Sequence, residues 1–80
     1  MIRYKISKNM RVLFVGINPS PGTYARGVPF SNNKTFWYLL NRAGLINEEF
    51  SDLKDDVKLR LIYNTKFNPV YKFGLINIIN

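Results

Sequence analysis

Asn18 is the polar side chain best placed for chemistry in this chain. It follows the apolar run Val12 to Val15, then Gly16 and Ile17, and it precedes Pro19. The apolar run reads as a strand, and a loop bearing glycines and prolines takes over where it ends. In open α/β sheets, ligands bind at such strand ends. Other chemistries fall away on composition. The chain has no histidine, so imidazole bases, Ser-His triads and histidine zinc sites cannot be built from it. It has no cysteine, which removes disulfides, thiolate metal sites and iron–sulfur clusters. All the acids (Glu48, Glu49, Asp52, Asp55 and Asp56) fall in one segment, so they offer no opposed carboxylate pair for acid–base work. No G-x-G-x-x-G follows the strand. Gly22 and Gly27 have P-loop spacing, but Val28-Pro29 stands where that loop needs Lys-Ser/Thr.

The net charge is +7, and outside residues 48–56 every charged residue is basic. That distribution favours phosphate backbones or anionic surfaces, and solubility alone is the plainer reading. The apolar run is too short for a signal peptide and lacks a cleavage site. No stretch approaches a membrane span, so the expected location is cytoplasmic.

The elements that must hold Asn18 follow from periodicity. Residues 1–10 read as a basic arm or a weak edge. Continuous apolarity over 12–17 predicts a strand buried on both faces, as in a parallel sheet. Residues 18–34 predict a long ordered loop, of the kind that is usually functional. Phe36, Leu39, Leu40 and Ala43 predict a helix over 34–43, capped by Asn32 or Asn33 and ended by Gly44. Phe50, Leu53, Val57 and Leu61 predict a second helix over about 48–63, its acids at the positive end of the dipole. Asn68-Pro69 marks a turn. Residues 74–79 (GLINII) predict a second buried strand, interrupted by Asn77. The order gives a βαβ unit, whose crossover is expected to be right-handed.

These residues also carry a resemblance. Gly16-Ile17-Asn18-Pro19 resembles the water-binding motif of the mismatch-specific uracil/thymine-DNA glycosylases. Gly27-Val28-Pro29-Phe30, Asn32-Asn33 and Phe36-Trp37 resemble the loop and helix that follow it there. Ala43-Gly44-Leu45 is similar to the end of that helix, and Gly74 to Ile79 to the next strand. The similarity runs in order from about residue 11 to residue 80.

The resemblance implies a base flipped from the duplex and cleavage of its N-glycosidic bond. It assigns Asn18 as the catalytic water-holder. An asparagine is no strong base, but its amide oxygen orients a water against C1′, which is positioning. Backbone N–H groups near residues 17–20 would stabilise the departing uracil. Ile17 becomes a pocket wall, Phe30 the ring that stacks on the flipped base, and Asn77 a contact to the base edge. Thr23 and Tyr24 shape the pocket loop. Arg26 and Lys34 are candidates for phosphate contact. No metal and no cofactor is implied. Each residue also has a plainer reading. Asn18 ends a strand, Phe30 anchors its loop to the core, Asn77 bonds a buried backbone group, and Arg26 and Lys34 are solvated surface. Phe36 and Trp37 read as core.

The chain departs from the pattern at Ser20-Pro21, where the family usually has glycine after Asn-Pro. The family's second motif, which wedges into the minor groove, lies beyond residue 80. The expected fold is therefore α/β: a βαβ portion of a three-layer α/β/α sandwich with a parallel sheet, uracil-DNA glycosylase-like and truncated. Residues 1–80 are then one partial domain, the N-terminal half. The implied partners are double-stranded DNA with a G·U or G·T mismatch and the remaining half of the domain, with no membrane. The expected function is mismatch-specific release of uracil or thymine opposite guanine in base excision repair. The alternatives are a non-catalytic remnant or basic nucleic-acid-binding module and, more weakly, a small-molecule binder. With uncovered strand edges the isolated chain is expected to be marginally stable or to self-associate.

Overall fold

A computed structural model describes residues 2, 4–16 and 21–78, with Tyr24 by its backbone alone. Two five-residue strands, β1 (Val12–Gly16) and β2 (Phe73–Asn77), pair in parallel, with Val12 opposite Phe73 and Gly16 opposite Asn77. Between them run α1 (Pro21–Arg26), α2 (Thr35–Arg42), α3 (Phe50–Lys54) and α4 (Asp56–Ile62). The helix α4 continues into a wider, π-helical turn over Tyr63–Phe67. This is the α/β, βαβ arrangement expected of the sequence.

Strand alternation gives the sheet two faces. Phe14, Phe73 and Leu75 share the face that meets the helices. Phe14 packs edge-on against Phe36 at 4.9 Å and Phe73 at 5.5 Å, and Phe67 joins Trp37 and Phe73 at 5.5 and 5.6 Å. Trp37, Leu53, Leu59, Tyr63, Phe67, Phe73 and Leu75 are fully buried. Such T-shaped and tilted ring pairs are the preferred aromatic geometries, so this cluster is the energetic centre of the domain.

Leu13 and Val15 lie on the other face, opposite Gly74 and Ile76. The sequence predicts a first strand buried on both faces, and the structure corrects this. Leu13 and Val15 are 39% and 54% exposed. No described helix covers that face, so apolar continuity records a surface able to be buried and not one that is. β2 is better shielded. Lys5 exchanges backbone hydrogen bonds with Leu75 at 3.0 and 2.7 Å, so the N-terminal arm lines its second edge.

The helices differ from expectation in three places. Residues 21–26 form α1 where a loop is predicted. Pro21 opens it, a position proline favours because its ring presets φ and no N–H is lost. Helix α2 begins after Lys34, which has φ 61°, and Asn33 Oδ1 accepts from the Thr35 N–H at 3.1 Å. Trp37 and Leu40, rather than Leu39 and Ala43, form its buried stripe. The Trp37 indole N–H reaches the Pro29 carbonyl at 2.8 Å, which fixes the rotation of α2. The predicted single helix over 48–63 is broken at Asp55, whose ψ of 116° is extended. Its carboxylate caps α4 by accepting from the N–H groups of Val57 and Lys58 at 2.9 and 3.2 Å. After the break Val57 and Leu61 face solvent and Leu59 and Ile62 face inward, while on α3 Leu53 is buried and Phe50 exposed.

The end of α2 is as expected. Gly44 takes φ +74°, its N–H bonds the Asn41 carbonyl, and Leu45 N–H bonds Leu40. These two bonds satisfy carbonyls that a helix end leaves open.

Candidate functional site

The C-terminal ends of β1 and β2 bring Gly16 and Asn77 side by side on the helix face of the sheet. Gly16 is fully packed: a methyl group there would lie 2.1 Å from Asn77 Oδ1 and 3.8 Å from Phe30 Cζ. The Asn77 amide and the Phe30 ring therefore converge over the glycine. A larger residue at 16 would occupy the space they share.

Asn77 is 7% exposed, and its Nδ2 has no hydrogen-bond partner among the described residues. A buried amide donor without an acceptor costs about 1–3 kcal/mol. Its backbone is well held: Tyr4 Oη donates to the Asn77 carbonyl at 3.0 Å, and Ile78 N–H bonds the Gly16 carbonyl at 2.8 Å. The reading that Asn77 satisfies a buried backbone group does not describe Nδ2, which is aimed at no protein acceptor among the described residues.

Phe30 sits in the left-handed region at φ 57°. A non-glycine residue is held there only when its surroundings over-determine it. The Pro29 carbonyl accepts from Trp37, Ser31 Oγ donates to the Val28 carbonyl at 2.8 Å, and the Phe30 ring packs on Phe36 at 4.4 Å. The ring is half-buried, so it is at once an anchor to Phe36 and part of the strand-end site.

Thr23 is buried on α1, whereas the Tyr24 side chain lies outside what the structure describes. Ile17 and Asn18 lie outside the described residues as well. Arg26 and Lys34 are not free cations. Asp56 meets Lys34 Nζ at 2.6 Å and Arg26 Nε at 3.4 Å. Arg26 Nη1 also donates to Asn32 Oδ1 at 2.7 Å, and Lys34 Nζ to the Lys54 carbonyl at 2.8 Å. The Lys34 hydrogen bond is the main cause holding the Asp56 carboxyl below its ordinary pKa of 3.8. Two other acids are similarly engaged: Asp52 with Lys58, and Glu48 with Lys66 and the Tyr71 hydroxyl.

Among the described residues, no group of three acids forms a candidate metal site, and no helix is long and apolar enough to cross a membrane. Sequence reasoning missed the Tyr4 contact to Asn77 and the Asp56 bridge, which join residues distant in the chain. It also missed α1, for which Pro21 was an available signal.

A short parallel sheet packed against helices, with Gly16, Asn77 and Phe30 gathered at its strand ends, is the α/β arrangement in which ligands generally bind at the carboxyl edge of the sheet. The chain belongs to the uracil DNA glycosylase superfamily, whose family model matches residues 4–80. That superfamily is one of DNA glycosylases, repair enzymes that act on DNA. No solved structure gives a significant match to the chain.

Proposed function

We propose that this chain supplies the base-binding and water-binding part of a mismatch-specific uracil or thymine DNA glycosylase. The observation that carries the reading is Asn77 Nδ2, a buried donor without an acceptor among the described residues, beside the half-buried Phe30 ring at the strand ends. A flipped pyrimidine offers this site a carbonyl for the amide and a flat face for the ring. Asn18 would hold water against C1′, with Ile17 as a wall and Thr23 and Tyr24 shaping the pocket. Neither metal nor cofactor enters this chemistry. The leaving base departs as an anion, and the catalytic gain comes from orientation and from N–H donors placed before the reaction.

The test is base release from duplexes carrying G·U, G·T or A·U, compared with the Asn18→Ala and Asn77→Leu variants. Asn18→Ala should lose release by about two orders of magnitude or more while keeping duplex affinity. Equal release by parent and variant would remove Asn18 from its role. The net charge of +7 favours a second reading, a non-catalytic nucleic-acid-binding module. Duplex binding that falls steeply with salt, with no mismatch preference and no base release, would select it.

A further inference from the structure

The cleft between α1 and α4 is lined by Arg26, Asp56, Val57, Arg60, Leu61 and Asn64. Asp56, Arg60 and Asn64 follow at four-residue intervals and so form one stripe. Arg60 is exposed and forms no ion pair among the described residues. Arg26 is pre-aimed: Nη1 is tied to Asn32 and Ser31, and Nε reaches Asp56. Its Nη2 makes no hydrogen bond among the described residues, which leaves one prong of the guanidinium open.

Asp56 is divided unequally between its two cations. Its contact with Lys34 is short and that with Arg26 is long, 2.6 against 3.4 Å. Lys34 is otherwise sheltered, with a side chain only 13% exposed, whereas that of Arg26 is 35% exposed. An incoming anion therefore finds Arg26 and Arg60, with Asn64 also lining the cleft, and meets Asp56 as a like charge.

We propose that this cleft seats one backbone phosphate of a nucleic acid strand between Arg26 and Arg60, and that Asp56 is its built-in competitor. The inference rests on the DNA-acting reading above and adds a contact outside the strand-end site. Asp56 keeps Arg26 oriented while weakening its pull on any passing polyanion. Duplex affinity is thereby set below what the cations alone would give, so grip depends on additional contacts elsewhere.

The test is fluorescence anisotropy of the whole protein with a labelled plain duplex over a salt series. Asp56→Asn should bind several-fold tighter, because Arg26 is released from its carboxylate. Arg60→Gln should bind more weakly, with a log–log salt slope shallower by about 0.9. Asp56→Asn spares the α4 cap, which belongs to Asp55, and Arg60 is a surface position. Far-UV dichroism and thermal unfolding of each variant verify the fold. Weaker or unchanged binding by a folded Asp56→Asn protein would overturn the competitor role. An unchanged slope in Arg60→Gln would overturn the phosphate seat. Binding of polyglutamate in preference to the duplex would overturn the nucleic-acid assignment. If base release from G·U persists through either failure, the glycosylase reading stands. If the parent binds no duplex at all, both fall.

Discussion

At the scale of single residues, the site rests on what is missing from Gly16. The strand end admits the Asn77 amide and the Phe30 ring only because position 16 carries no side chain. Gly16→Ala should push the amide aside, destabilise the fold by about 1–3 kcal/mol as overpacking does, and cut base release more than stability alone explains. Denaturant unfolding alongside the release assay measures both. Two titrating groups contribute to the pH dependence of stability. Burial holds the Tyr63 hydroxyl well above its ordinary pKa of 10.0. The folded phenol then stays neutral where an unfolded one ionises, so its contribution is complete below about pH 10 and is lost as pH rises beyond it. The Asp56 carboxyl is shifted down by Lys34. Its contribution is present above about pH 4 and is lost as pH falls through the depressed value. Thermal midpoints across pH should fall on both limbs. In Tyr63→Phe the alkaline fall should shrink, and in Asp56→Asn the acid fall should shrink.

At the scale of elements, caps decide the boundaries. Asp55→Ala removes the acceptor for two N–H groups at the start of α4 and should cost about 1 kcal/mol in urea unfolding. This residue also shows what the sequence concealed. The acids of 48–56 read as the negative first turn of one long helix, and Asp55 instead interrupts it and restarts it. With the interruption, Val57 and Leu61 turn outward and Leu59 and Ile62 inward. A periodicity count assumes an unbroken phase, so it cannot register such a reset. Both strands, the Gly44 helix end and the Asn68-Pro69 turn were legible because local chemistry dictates each. Asn77 was legible as a polar interruption in an apolar strand. What was not legible depended on contacts across the fold: the rotation of α2 by Trp37, the Tyr4 arm, and Asp56 between Lys34 and Arg26.

At the scale of the whole molecule, the sheet is one-sided. Helices and aromatic rings cover one face, while Leu13 and Val15 on the other face remain substantially exposed. An apolar strand surface of this kind is adhesive, and among the described residues β1 pairs only with β2. The purified 80-residue chain should therefore self-associate as its concentration rises. Val15→Lys should shift sedimentation toward the monomer, since a charged edge residue penalises stacking of a second sheet.

The backbone at Phe30 has an evolutionary reading. A left-handed φ suits glycine or asparagine, and phenylalanine there carries a cost of about 1–3 kcal/mol. The ring's contact with Phe36 offsets this without requiring an aromatic at that position for endurance. In a randomised library sorted only for heat resistance, codon 30 should drift toward glycine or asparagine. Sorted for repair of uracil-bearing DNA, it should stay aromatic. On the proposed stacking role, position 30 is where durability and activity ask for different amino acids.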